Sequence, residues 1–328
     1  MRDVSHLPPA LRGLRLPLLG APMFIVSGPE LVIAQCKAGI VGSFPALNAR
    51  EGKGEPAQLD KWLTRITEEL DRHNQANPDH PAAPFAVNQI VHRSNGRLER
   101  DLEICARHKV PIWITSLGAR AEVNEAAHGC GGIVLHDVIN NTFARKAIEK
   151  GADGLIAVAA GAGGHAGKQS PFALVEEIRD WFDGPLILSG AIATGRALLA
   201  ARVAGADLGY TGSPFIATDE ANAPARYKEM IVTGSAEDIV TSSLFTGVSG
   251  NYLRESIKAA GLDPDNLSTG QAATMNFGSG SSKAWTDIWG AGQGIGVVKA
   301  ISRAADLIAR IEEEYRAAAR KIASEFIR

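Results

Sequence analysis

The chain has 328 residues, of which 45% are hydrophobic and only 6% aromatic, and its formal net charge is −2. That balance gives no electrostatic case for nucleic acid or an anionic membrane surface. No apolar run approaches the ~20 residues that span a bilayer, and the N-terminus from Met1 to Pro9 lacks the apolar stretch of a signal peptide.

Cys36, Cys105 and Cys130 are odd in number, widely spaced and form no CxxC pair. They read as reduced thiols in a cytoplasmic protein, each serving as a small hydrophobe, and not as disulfides or a zinc site.

From Pro17 to about Ser213, short apolar runs alternate with helical segments. The runs are Leu16–Gly20, Gly39–Phe44, Pro84–Ile90, Val110–Thr115, Gly132–His136, Gly154–Val158, Pro185–Ser189 and Asp207–Thr211. Their length and composition read as eight buried strands. Between the second and third, Glu51–Pro84 reads as a long irregular excursion. Asn141–Lys150 opens on a capping residue and stops at Gly151, Thr194–Ala204 stops at Gly205, and Phe172–Trp181 is a further helix. Lys150-Gly151-Ala152-Asp153-Gly154 and Ala204-Gly205-Ala206-Asp207 are near copies of one tight helix-to-strand turn.

Eight strands alternating with helices predict an α/β fold, a (β/α)8 TIM barrel, ahead of a doubly wound sheet. After Ser213 the pattern becomes polar and reads as helical, which suggests a smaller helical lid domain inserted after the eighth strand. The expected division is a barrel of residues 1–216 and 288–328 and a substrate-covering lid of residues 217–287. A final amphipathic helix near Ile301–Ile327, dense in i,i+4 charge pairs, is expected to close the barrel.

Barrel enzymes keep their chemistry at the C-terminal ends of the strands. That mouth would collect Ala21, Pro22 and Met23, then Asn88, Thr115-Ser116, His136 and Asp137, then Ser189, Gly190 and Ala191, and Gly212 and Ser213. The loops after the seventh and eighth strands offer backbone N–H groups that could cradle a phosphate. No Walker A motif, no GxGxxG after a first strand, no HExxH, no other metal-ligand cluster and no glycosidase-type pair of acids is present.

The sharpest candidate is His165. It lies in Ala159-Ala160-Gly161-Ala162-Gly163-Gly164-His165-Ala166-Gly167, directly after the sixth strand. Four glycines around one titratable side chain exceed what a connecting loop needs, and they would let the backbone approach a ligand closely. Catalysis is therefore assigned to His165 ahead of helix capping or a bond to a loop carbonyl. His136 reads either as a satisfied inward-facing histidine or as a cofactor contact. Asn88 reads either as a bridge between backbone groups or as the partner of a polar heterocycle. The Gly290–Gly296 run is either a helix-start linker or part of the mouth. His6, His73, His80, His92, His108 and His128 read as surface residues.

Taken together, these motifs resemble the nitronate monooxygenase family, also called 2-nitropropane dioxygenase-like, over roughly Leu16 to Val298. Ala162-Gly163-Gly164-His165-Ala166-Gly167 is similar to the family's AGGHxG loop with its catalytic histidine. Ala21-Pro22-Met23, Phe85-Ala86-Val87-Asn88, Ser189-Gly190, Gly212-Ser213-Pro214-Phe215 and Ala291-Gly292-Gln293-Gly294 match in order and spacing.

The resemblance implies an FMN-dependent oxidoreductase, with FMN across the mouth and its phosphate on the last two loops. Pro22, Met23 and Asn88 would line the flavin ring, with Ala21, His136, Asp137, Gly164, Ser189, Gly190, Ala191, Gly212, Ser213 and Gln293 also at the cofactor and Ser94 a minor contact. The implied reaction oxidises an alkyl nitronate or nitroalkane with O2 to a carbonyl compound and nitrite. The alternative is an NAD(P)H-dependent flavin reductase of quinones or enoyl thioesters. The expected partners are thus a small molecule (nitronate, nitroalkane or quinone) with O2 or NAD(P)H as co-substrate. Neither nucleic acid, membrane nor metal is expected, and a homodimer is allowed. The sequence departs from the family in three places: Asp137 stands where a lysine is frequent, Ala191 where glycine is, and Ser213-Pro214 where Thr-Arg is.

Overall fold

The computed structural model describes residues 4–50, 58–267 and 288–326. Eight parallel strands form its centre: β1 (Leu18–Gly20), β2 (Gly42–Pro45), β3 (Phe85–Ile90), β4 (Ile112–Ser116), β5 (Ile133–Val138), β6 (Gly154–Val158), β8 (Leu186–Ser189) and β9 (Leu208–Thr211). They run in the order β1-β9-β8-β6-β5-β4-β3-β2. A parallel bridge between Leu19 and Val41 joins the two outer members. There Gly20 N donates to Val41 O at 2.8 Å and Val41 N to Leu18 O at 3.3 Å. The sheet thus closes into the (β/α)8 barrel, and each of the eight apolar runs supplies one strand.

Closure gives every strand residue one of two environments, because successive side chains point to opposite faces. Leu19, Ala86, Ile112, Ile114, Leu135, Ile156, Ile187 and Leu208 fill the barrel interior. Leu18, Val87, Trp113, Val134, Leu155 and Leu188 pack outward against the helices. The opposite end of the barrel is stopped by Leu7 and Leu11 from the N-terminal segment, which join the interior cluster.

The helices include α1 (Pro29–Lys37), α2 (Gln58–Ala76), α3 (Leu98–Arg107), α4 (Ala121–Gly129), α5 (Asn141–Glu149), α6 (Pro171–Arg179) and α7 (Gly195–Val203). Asn140 caps α5 by accepting from Phe143 N, and Thr194 caps α7 by accepting from Ala197 N. The supposedly irregular excursion contains α2. Leu59, Leu63, Ile66 and Leu70 are its buried residues, spaced to line one face of a helix.

The region after β9 also departs from expectation, because the segment read as helical carries strands. β10 (Ile239–Ser242) and β11 (Gly250–Leu253) pair antiparallel, and β7 (Gly164–His165) adds to the free side of β11. Ile239, Val240 and Thr241 are β-branched and suit a pleated, half-buried surface. Short helices α8 (Ser213–Ile216), α9 (Ala225–Thr233) and α10 (Arg254–Ala259) flank them. Cys36 and Cys105 are buried free thiols and Cys130 is half-buried; burial pushes Cys36 up to about 12. Among the described residues no helix is long and apolar enough to cross a membrane.

The C-terminal helix, Ala304–Phe326, packs on α7 across a contact that admits no side chain at Gly195. A Cβ there would stand 2.1 Å from Tyr315 N and 2.2 Å from Ile311 O. Both obstacles are backbone, so the helices must separate. Gly195→Ala is expected to cost about 1–3 kcal/mol, as overpacking does, and to lower the thermal midpoint. An unchanged melting curve would contradict this packing.

Candidate active site

The interior side chains change character at the C-terminal end of the barrel. Along β3 the inward residue passes from Ala86 to Asn88, along β4 from Ile114 to Ser116, along β5 from Leu135 to Asp137, and along β8 from Ile187 to Ser189. These polar ends form the floor of a cavity of about 410 Å3, a size common for small-molecule sites. Its wall includes Ala21, Pro22, Met23, Asn88, Asp137, Gly164, His165, Ser189, Gly190, Ala191, Gly212 and Ser213. Twelve residues proposed from sequence thus meet around one space.

His136, Gln293 and Ser94 do not line it. His136 shares the outward face of β5 with Val134 and Val138, where its Nδ1 meets Thr115 Oγ1 at 2.5 Å. It is a satisfied histidine, as one reading had it, but turned toward the helices. Gln293 has an exposed side chain, and its contribution is a backbone bond from its N to Gly161 O at 2.9 Å. Ser94 Oγ bonds His92 Nδ1 at 2.8 Å.

The glycines around His165 approach another loop. A Cβ on Gly163 would stand 2.8 Å from Gly292 N, and one on Gly292 would stand 2.6 Å from Gly161 O. The two glycine-rich runs therefore touch backbone to backbone. Gly292 N also donates to Ser213 Oγ at 2.8 Å, which ties this junction to the loop after β9. Gly161 and Gly164 take φ of +86° and +65°, which only glycine adopts without strain.

The junction delivers His165 to the cavity wall. Its backbone pairs with Gly250 of β11, and Asn251 Nδ2 donates to Ala162 O at 2.6 Å. His165 Nε2 lies 3.0 Å from Thr246 Oγ1, whose own hydrogen goes to Val248 O at 3.0 Å. With Thr246 donating to Val248 O, the tautomer that fits has Nε2–H donating to Thr246 Oγ1 and Nδ1 as the basic nitrogen. Burial lowers the imidazole to about 4, so the ring is neutral at pH 7. No sequence signal pointed to Thr246, which lies in a different element 81 residues away.

Asp137 shifts the other way. Burial raises its carboxyl to about 7, against the lowering effect of a hydrogen bond from Ser116 Oγ to Oδ2 at 2.5 Å. Asn88 Nδ2 donates in turn to Ser116 Oγ at 2.7 Å and to Ile114 O at 3.2 Å. Asp137 Oδ1 and the Tyr210 hydroxyl are both sealed from solvent and lack a hydrogen-bond partner. Two such atoms at one cavity suit a site completed by a ligand or an ordered water.

The upper wall is apolar and aromatic, with Tyr227 and Trp289 stacked at 4.8 Å between ring centroids. Among the described residues the lining includes no lysine or arginine. The loops after β8 and β9 supply backbone and hydroxyl donors instead. Ala191, in the place of an expected glycine, takes φ +55°, a conformation costing roughly 1–2 kcal/mol for an L-residue. Among the described residues no group of three or more His, Cys, Asp or Glu side chains is set to hold a metal ion.

A barrel mouth with this histidine loop and these two terminal loops is matched by one family model, described as nitronate monooxygenase, over residues 9–314. The chain belongs to the nitronate monooxygenase family. It is similar to a nitronate monooxygenase from Paraburkholderia phytofirmans, 25% identical over 356 residues and covering 93% of each chain. It is also similar to the (3aS,4S,5R,7aS)-5-hydroxy-7a-methyl-1-oxo-octahydro-1H-indene-4-carboxyl-CoA dehydrogenase of Rhodococcus jostii, 25% identical over 243 residues. That match takes in 74% of this chain and 64% of the relative, so the chain spans less than two thirds of the relative's length. Among solved structures, FabK from Thermotoga maritima shares the fold with a TM-score of 0.75 and 24% identity, over 97% of each chain. The family is one of flavin-dependent oxidoreductases, the class to which the motifs had pointed.

Two measurements check the site's construction. Gly163→Ala is expected to cost about 1–3 kcal/mol by prising the glycine runs apart, seen as a lower denaturation midpoint. His136, buried and lowered to about 4, binds its proton more weakly folded than unfolded. Its contribution is therefore complete above about pH 6.5 and lost as pH falls from there toward 4. His136→Gln should remove on the order of 1–3 kcal/mol of that acid sensitivity, measured as urea midpoints at pH 7 and pH 4.5. Equal sensitivity in both proteins would contradict a buried neutral His136.

Proposed function

We propose that this protein is an FMN-dependent nitronate monooxygenase, oxidising alkyl nitronates or nitroalkanes with O2 to carbonyl compounds and nitrite. The observation that carries the reading is a neutral, half-buried His165 on the wall of a mostly apolar cavity, its Nε2 hydrogen-bonded to Thr246.

The residues present fit FMN. Gly190 has φ +144° and a Cβ there would meet Ala160 O at 2.8 Å, so this turn keeps its backbone donors at the mouth only as glycine. Ser189, Gly190, Ala191, Gly212 and Ser213 would hold the phosphate with backbone N–H groups and hydroxyls. Ala21, Pro22, Met23 and Gly164 would border the ring, and Asn88 and Asp137 would meet its polar edge. When bound, FMN supplies the redox chemistry between substrate and O2.

The chain's own residues bind, exclude water and move one proton. His165 Nδ1 takes the α-proton of a neutral nitroalkane, or, once protonated, holds the oxygens of a nitronate. A base lowered by burial is weak toward bulk water. The anion formed beside it raises the imidazole again, so the proton is accepted when the substrate supplies the charge. Tyr227, Trp289 and the apolar side chains from Met23 to Val26 shield that ion pair from solvent. The segment after β9 would act as the substrate cover, with β10 and β11 contributing Thr246 between them.

A second reading, an NAD(P)H-dependent flavin reductase of quinones or enoyl thioesters, is favoured by one observation: the Rhodococcus relative is named for a carboxyl-CoA substrate.

His165→Asn is expected to bind FMN and lose at least 100-fold in rate with nitroalkane, the scale of a general base. Full activity in that variant would overturn the assignment. Without oxygen, a nitronate should bleach the flavin of the wild-type protein quickly and NADH slowly. The reverse order would decide for the reductase.

A further inference from the structure

Among the described residues Asp137 is the one carboxyl of the cavity wall, and its surroundings favour its neutral form. β4 presents Ser116 to it, β6 presents Val158, β9 presents Tyr210 and β7 presents His165, while Tyr227 closes the cavity above. His165 is neutral at pH 7 and Tyr227 donates its hydroxyl to Gly290 O. Burial raises the Tyr210 phenol, and an ionised Asp137 pushes it further up. None of these groups offers a positive charge, and the described lining adds no lysine or arginine. Ser116 donates to Oδ2, so Oδ2 is the accepting oxygen and a proton belongs on Oδ1, the atom with no partner.

We propose that Asp137 makes cofactor uptake in this cavity proton-coupled: the anionic flavin enters together with one proton from solvent, which is held on Asp137 Oδ1. The proposal rests on the FMN reading above. A flavin phosphate brought into a cavity with no facing cation is repelled by an ionised carboxylate and left alone by an acid. Filling the cavity also removes the water that solvates the carboxylate, which favours the acid again. The neutral acid carries an O–H where the carboxylate carried only acceptors. The bound state therefore gains a donor beside Tyr210 and loses a charge. Asp137 acts here as a specificity-determining residue, favouring ligands that tolerate an acid and a phenol at the floor of the site.

The test is calorimetric titration of the flavin-stripped full chain with FMN at pH 8, in buffers of different ionisation heat. Wild type is expected to take up most of one proton per FMN more than Asp137→Asn. Its Kd should weaken by up to tenfold per pH unit between pH 7.5 and 9, the limit for one coupled proton. Asp137→Asn, which imitates the acid in shape, should bind with a flat profile. Titration of FMN's own phosphate is common to both proteins, and riboflavin, which lacks that phosphate, should still show the difference. Equal proton uptake by wild type and variant would overturn the proposal while leaving the FMN reading intact. Should the variant not fold, wild type alone decides: no proton taken up with riboflavin overturns the proposal. A wild-type chain that binds neither flavin overturns the FMN reading and this proposal with it.

Discussion

A closed parallel barrel forces a decision at every strand position, since each side chain goes either to the interior or to the helices. The interior of this barrel is filled with Leu, Ile and Ala up to one level, and above that level the same inward positions carry Asn88, Ser116, Asp137 and Ser189. The site exists because the apolar filling stops one layer short of the mouth. Everything polar in it is then held by main chain that cannot shift without opening the sheet. This is why Asn88, Ser116 and Asp137 form a chain of hydrogen bonds across three neighbouring strands. It is also why His136, one residue from Asp137, belongs to a different part of the molecule.

The histidine depends on a second constraint, the meeting of two glycine runs. His165 is not on a barrel strand; it sits on a two-residue strand that pairs with β11, beyond the end of β6. Its place is set by Gly163 against Gly292, by Gly292 N on Ser213 Oγ, and by Asn251 on Ala162 O. These contacts connect the histidine loop, the hairpin and the loop after β9. A ligand on the last two loops and a substrate at His165 would therefore read one shared scaffold.

The barrel was legible in the sequence because its strands are short apolar runs bounded by Gly, Pro and Asp, and its helices end at glycines such as Gly151 and Gly205. The inward or outward phase was not legible. In β5 both faces are apolar up to Leu135, so nothing in Ile133-Val134-Leu135-His136-Asp137 says which of the last two enters the mouth. The glycines of the His165 loop signalled a close approach, but to Ala291-Gly292 and not directly to a ligand. Helix α2 was available in the spacing of Leu59, Leu63, Ile66 and Leu70, hidden among polar residues that obscured it. The hairpin was hidden because Ile239–Ser242 is a run of only four residues and its partner is set by tertiary pairing.

The two titratable groups that matter most are shifted in opposite directions by one cause. Burial lowers His165 and raises Asp137, so both move toward their neutral forms. In the described lining neither change is offset by a fixed cation. A cavity built this way gives no charge to attract an anion at long range, and selection must occur at contact, through backbone donors, hydroxyls and shape. It also means that any charge in the bound state is brought by the ligands. On the proposed reading a flavin phosphate would arrive with one, and deprotonating a nitroalkane would create another next to a histidine that becomes cationic by the same step. In a low-dielectric site such a pair is strongly attractive at short range. A lysine at the Asp137 position would supply a permanent charge at the mouth; an aspartate that burial moves toward its neutral form would instead carry a charge that depends on what fills the cavity.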